Sequence, residues 1–298
     1  MRSLSCFSVL FVIACTSALP LKHGKNFLPI EDSIVRNKIF PLAAGAYSDN
    51  PENCVKNKFV DGTVQKKVKQ VCGDGFQEPE NCFGYTALLN NDKAIVLAFR
   101  GTHGFIQLIY EIDRTVFKEK INATIGGQVA NYFYSVYTAV MDNGLSDSLS
   151  QLVKDHPDYD VWVTGHSLGG ALASIAASEI IALNYVSADK VKLYTFGQPR
   201  TGDVEYAAAH DKIVPTSYRI THYDDIVPHL PYENFENYFH HKSEIWYNNN
   251  MEVGDTYIEC DEDESNSCSD GAFWKYSIPD HLYYYGKFVT GYGFNGCV

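Results

Sequence analysis

Residues 163–173 read Val-Thr-Gly-His-Ser-Leu-Gly-Gly-Ala-Leu-Ala, and what flanks them decides the fold. Before them, after Pro157, lies the β-branched run 159–164. From Ser167 to about Leu183 follows a stretch of small apolar residues with helical character. Gly165-His166-Ser167-Leu168-Gly169 thus fits G-x-S-x-G in a strand–turn–helix setting, the context in which this short pattern reads as a nucleophile elbow. The glycines have a steric purpose. Side chains at 165 and 169 would collide with neighbouring backbone in so tight a turn, while Ser167 is forced into strained φ/ψ. Its hydroxyl then projects from the sheet edge, where the helix dipole and the Leu168 N–H face a developing oxyanion. A glycine-rich turn with a capping serine is the bland alternative.

Working outward, two apolar runs at 85–89 and 94–99 flank Asn-Asn-Asp and predict a hairpin. Helical patterns cover 31–48, 127–155 and 203–210; in the second, Val129, Tyr132, Phe133, Val136, Tyr137 and Val140 recur at helical spacing. Further strands are expected at 190–196, 217–222 and 244–247. This alternation predicts an α/β fold, a mostly parallel central sheet with helices on both faces, in one domain over 19–298.

A serine is a weak nucleophile at its free pKa, so a base and an orienting carboxylate must follow. The chain order in such folds is Ser, then Asp or Glu, then His. Asp224 and Asp225 lie just past the strand 217–222, and the pattern does not separate them. Asp203 is the alternative, although it looks like a helix N-terminal acid. Five histidines are available: His222, His229, His240, His241 and His281. His281, late and in an apparent loop, matches the expected order best.

The remainder of the sequence bounds the setting. Met1-Arg2, an apolar run 4–14 and Cys-Thr-Ser-Ala at 15–18 read as a cleaved secretory leader, 1–18. No later stretch is apolar for about 18 residues, so no transmembrane anchor is expected. The formal net charge is −12, or −13 once Arg2 leaves, which argues against nucleic acid and anionic membranes as partners. Six cysteines remain beyond the leader, with no Cys-x-x-Cys pair and no adjacent histidine, so disulfides are expected rather than zinc. Asn122-Ala-Thr is a glycosylation sequon. The acidic run 261–264 reads as a solvated loop. Export places the product outside the cell or in a lysosome-like lumen.

At several points the chain resembles the lipase class 3 family, the fungal triacylglycerol lipase type of α/β-hydrolase. Val-Leu-Ala-Phe-Arg-Gly-Thr (96–102) is similar to that family's oxyanion strand, 163–173 to its elbow, and Tyr-Thr-Phe-Gly-Gln-Pro-Arg-Thr-Gly-Asp (194–203) to the strand that follows. Asp225-Ile-Val-Pro-His-Leu-Pro resembles the acid loop, and Asp280-His281-Leu-x-Tyr-Tyr-Gly the terminal base segment. The resemblance implies Ser167 as nucleophile, Asp225 as acid and His281 as base, with Thr102 and Leu168 forming the oxyanion hole. It implies a structural role for His240 and hydrolysis of lipid esters without metal or cofactor. It also implies disulfides Cys260–Cys268, Cys54–Cys297 and Cys72–Cys82. The match departs after Thr102, where family members often carry Asn-Trp and this chain has His103-Gly-Phe-Ile. Phe105, Leu108, Ile109 and Ile112 still form an apolar stripe, which suits a lid meeting a lipid–water interface, with Gly101 and Gly104 as hinges. A fixed core helix fits the stripe equally well. An esterase for soluble or aryl (feruloyl-type) esters and a non-catalytic lipid-binding relative are the competing readings.

Overall fold

In the strand Ala94–Phe99 every residue is buried, and successive side chains serve two different cores. Ala94, Val96 and Ala98 pack with Leu42, Ala46, Val55 and Phe59. Ile95, Leu97 and Phe99 pack with Phe133, Val136, Val140 and Leu172. A strand covered on both faces has to be apolar throughout, as this one is. The computed structural model describes residues 30–72, 80–101, 116–233, 235–274 and 276–298. Within it Asp32–Val298 forms one unit.

Eight of the described strands make the main sheet, and their order across it is their order in the chain. They are Gly62–Cys72, Glu80–Leu89, Ala94–Phe99, Asp160–His166, Val191–Phe196, Ser217–His222, Glu244–Tyr247 and Ile258–Cys260. Neighbours from Ala94–Phe99 to Glu244–Tyr247 are parallel; the pairings outside them are antiparallel. One-way progression with right-handed crossovers puts the connecting helices on a single face. Asn131–Val140, Ser146–Asp155, Leu168–Ala182 and Val204–Ile213 lie between these strands in the chain and contribute to one core. The chain ends supply the other face. Helical residues 32–58 cover it together with the helix Val289–Phe294. Phe40 stacks on Tyr292, ring centroids 5.6 Å apart, and meets Phe196 of the sheet edge-on at 5.4 Å. The Cys54–Cys297 disulfide ties these two terminal segments together.

Three details differ from the sequence reading. The pattern over 127–155 is not one helix. It opens with the short strand Gln128–Ala130 and breaks at Gly144, whose φ of 119° an L-residue rarely adopts. The strand Gly62–Cys72 was not foreseen: it is a sheet edge, and Lys66, Lys67 and Lys69 turn to solvent. Lysines on an edge discourage pairing with other chains, and they dilute the apolar signal. His281 sits in a short helix, Ile278–Leu282, rather than a loop.

Candidate active site

The carboxyl ends of three adjacent parallel strands carry the site. Asp160–His166 delivers Ser167, Val191–Phe196 delivers Gly197, and Ser217–His222 runs into Asp225. Ser167 has φ 61° and ψ −131°, the strained conformation expected of an elbow. Its N–H donates to the Phe196 carbonyl at 2.9 Å and its carbonyl accepts from the Gly170 N–H at 2.8 Å, so the turn is held from both sides. A Cβ on Gly165 would run into the Gly169 carbonyl, and one on Gly169 into the Phe99 carbonyl. Both obstacles are backbone and cannot swing aside. Gly165→Ala should therefore cost about 3 kcal/mol or more of stability, read from the urea midpoint. Leu168 is the first residue of the helix Leu168–Ala182, so its N–H has no partner within that helix. Ser167 is 1% exposed, and its hydroxyl makes no hydrogen bond to the described residues.

Asp225 is fully buried, with both carboxylate oxygens 2.9 Å from Nδ1 of His281. The Val227 N–H donates to Oδ1 at 2.8 Å and the Tyr284 hydroxyl to Oδ2 at 2.7 Å. Burial alone would raise this carboxyl's pKa. The His281 ring, the Tyr284 hydroxyl and the Val227 N–H outweigh it and hold the group below its usual range. A carboxylate only accepts, so His281 carries its proton on Nδ1 and presents a basic Nε2 when neutral. Asp224 has another part. Its backbone carbonyl accepts from Ser277 at 2.9 Å and its N–H donates to Asp280 Oδ2 at 3.3 Å. Asp225 and Ser277 form a parallel bridge, which locks the segment carrying Asp225 to the one that leads into His281. Gly197 makes room: a Cβ there would lie 2.7 Å from Asp225 Oδ2 and 2.8 Å from His281 Nδ1. Asp203 caps the helix Val204–Ile213 through the Tyr206 N–H, away from the pair.

Sequence reasoning passed over three residues around His281. Tyr284 is one; the others are His166 and Tyr47. His166 places Nε2 2.9 Å from the His281 carbonyl and its ring centroid 4.5 Å from that of His281. Burial pushes His166 down to about 3, so the ring is neutral. Facing a carbonyl, Nε2 must be the donor, and Nδ1 accepts from the Tyr47 hydroxyl at 2.8 Å. Positions 166 and 284 stand inside the elbow and terminal motifs already quoted, whereas Tyr47 gave no sequence signal. The other candidate histidines have local partners: His222 the Asp280 carbonyl, His229 Asp270, His240 the Pro228 carbonyl, and His241 Gln198.

Thr102 and the stripe Phe105, Leu108, Ile109 and Ile112 lie outside the described residues. All three disulfides implied by resemblance form: Cys54–Cys297, Cys72–Cys82 and Cys260–Cys268. The acidic run 261–264 is not wholly solvated. Glu264 turns inward, and both its oxygens lie 2.8 Å from the buried Arg200 guanidinium. A guanidinium this deep needs such a fork-to-fork partner. His210, Asp211 and His241 are near enough to suggest a metal site. The two rings stack at 3.9 Å and 22°, however, so their in-plane lone pairs do not converge on one ion.

The class 3 lipase family model matches residues 96–235, the span from the strand before Thr102 through the acid loop. A lipase of Caenorhabditis elegans is 33% identical over 98% of this chain and 90% of its own length. The chain belongs to the class 3 lipases. A Rhizomucor miehei lipase is 35% identical over 66% of this chain, although that match spans only 53% of the fungal protein. A solved triacylglycerol lipase with a serine-protease triad as its catalytic centre superposes with a TM-score of 0.71 at 26% identity, covering 84% of this chain and 93% of its own. As a class 3 lipase the chain has the α/β-hydrolase fold, hydrolyses carboxylic esters of lipids and uses a Ser-Asp-His triad. Among the described residues no helix is long and apolar enough to cross a membrane.

Proposed function

We propose that Ser167, Asp225 and His281 are this lipase's triad and that its substrates are acylglycerols presented at a lipid–water interface. The observation that carries the assignment is the buried Asp225–His281 pair, bonded through both carboxylate oxygens and packed against the elbow histidine. His281 Nε2 takes the Ser167 proton as Oγ attacks the ester carbonyl. The Leu168 N–H, joined on sequence grounds by Thr102, receives the oxyanion. Collapse expels the alcohol, which leaves with the proton from His281. Water, activated by the same imidazole, then releases the acid.

The seal over Ser167 favours aggregated lipid over small soluble esters, because an ester carbonyl reaches a serine 1% exposed only after its cover moves. The stripe Phe105, Leu108, Ile109 and Ile112 belongs to this proposal from its sequence alone. Residues 1–18 are proposed as an export leader and the remainder as one domain. Three disulfides support an oxidising, extracellular destination. Asn122, exposed on a short strand, is proposed as a glycan site.

The test is covalent and kinetic. An alkyl phosphonate ester should label Ser167 alone, one per chain, as located by peptide mass spectrometry. Hydrolysis of tributyrin should accelerate as its concentration crosses solubility. Labelling elsewhere would overturn the nucleophile assignment, and equal specific rates on either side of solubility would overturn the interfacial reading.

A further inference from the structure

Phe273, Trp274 and Tyr276 are 90%, 65% and 61% exposed, the densest run of bare aromatics among the described residues. Phe273 and Trp274 meet edge to face at 5.4 Å, touching each other while most of their surface faces water. Singly exposed apolar side chains need no explanation, but three within four residues do.

The segment that carries them is fixed at both ends. Upstream, Asp270 contacts the buried Arg200 at 3.4 Å and His229 at 3.2 Å, two residues after the Cys260–Cys268 disulfide. Downstream, Ser277 bridges Asp225, receives the Ile226 N–H at 3.3 Å and donates to the Asp224 carbonyl at 2.9 Å. The frame therefore holds the aromatics out where collapse onto the core would otherwise bury them. It also places them beside the acid and five to eight residues ahead of His281. Tyr223, two residues before Asp225 and itself exposed, approaches the same junction from the acid's side.

We propose that Phe273, Trp274 and Tyr276 form an anchor that seats the protein on an uncharged or zwitterionic lipid surface, next to the catalytic pair. Trp and Tyr have an apolar body and a polar edge, which suits them to the headgroup level of a lipid layer. Charge selects the surface. The chain carries −12, so anionic lipid repels it, whereas residues 271–279 contain no acid and a single cation, Lys275. This inference rests on the lipid-ester reading above for its purpose but not for its test.

Binding is measured on the full chain bearing Ser167→Ala, so that lipid is not consumed, with phosphatidylcholine vesicles as the probe. Trp274 is the exposed tryptophan, since Trp246 is buried and Trp162 packs against the sheet's core. Its emission should shift to the blue on vesicle addition, and Trp274→Phe should abolish the shift. The triple variant Phe273→Ser, Trp274→Ser and Tyr276→Ser, made in the Ser167→Ala chain, should lower vesicle partitioning about tenfold or more. Made in the wild-type chain, it should slow hydrolysis of emulsified ester about as much and leave a soluble short-chain ester within about twofold. Unchanged partitioning overturns the anchor, as does an equal loss on the soluble ester. Binding confined to anionic vesicles overturns the assigned surface. Absence of all ester hydrolysis in the wild type would defeat the lipase reading, while the vesicle measurement would still decide the anchor.

Discussion

Asp225→Asn should slow ester hydrolysis about 10⁴-fold with the fold intact, and Ser167→Ala should slow it about 10⁶-fold. The serine loss follows from removing the attacking atom. The aspartate loss follows from proton bookkeeping. The native carboxylate only accepts, and it takes hydrogen bonds from His281 Nδ1, the Tyr284 hydroxyl and the Val227 N–H. An amide in the same place keeps one acceptor oxygen, which the fixed Val227 N–H claims. Its NH₂ then faces His281 and donates to Nδ1, which moves the ring proton to Nε2. In that tautomer the imidazole no longer accepts from Ser167. The Tyr284 hydroxyl can rotate to suit, so little else is disturbed. The measurement is kcat/KM on a soluble ester together with a melting curve for each variant. A loss under tenfold in Asp225→Asn would show that another carboxylate orients His281. Tyr284→Phe gives a graded control: it removes one of several donors to the buried carboxylate and leaves the His281 tautomer unchanged, so kcat/KM should fall far less, by about tenfold or under.

What could be read from the sequence is what sterics force into it. Gly165 and Gly169 are required because backbone carbonyls lie where their side chains would go. The strand 94–99 is legible because it is covered on two faces and has to be apolar throughout. The choice between Asp224 and Asp225 was different. Two identical neighbours are told apart only by contacts with a segment about fifty residues away: the Asp225 carboxylate faces His281 and Tyr284, whereas Asp224 meets Ser277 and Asp280 through its backbone. Family resemblance supplied that answer; residue spacing could not. Tyr47 was hidden for the same reason: it reaches His166 across 119 positions of sequence, and it looks like any core tyrosine. Glu264 looked solvated because its partner Arg200 is 64 residues away. Local patterns thus gave the elbow and most central strands, whereas the long-range partners around Asp225 and His281 needed the folded chain.

Protonation of the unfolded chain at His210 should cost the fold stability as the pH drops below about 6.5. Burial drives His210 to about 3, with the Arg219 guanidinium adding to the effect, and its ring stacks on His241, which burial also keeps neutral. In the unfolded chain this histidine binds a proton below about 6.5. Its folded pKa is depressed, so the contribution is full above that value and is lost as the pH falls toward 3. The slope is about 1.4 kcal/mol per pH unit, or about 2 kcal/mol at pH 5. His166, also near 3, adds a similar share. One carboxyl opposes them. Burial, then contact with Asp263, raises Asp211 to about 7. It holds a proton in the folded state that the unfolded chain releases above about 4, so between pH 4 and 7 it favours the fold as pH falls. The wild-type curve is therefore a contest, and a variant difference isolates the histidine. His210→Phe keeps a flat ring against His241 and cannot titrate. Relative to wild type it should be about 2 kcal/mol more stable at pH 5 than the same comparison gives at pH 8, measured by urea unfolding at both values. An equal difference at the two pH values would mean that His210 takes up its proton within the folded protein, and the neutral His210–His241 stack would have to be abandoned.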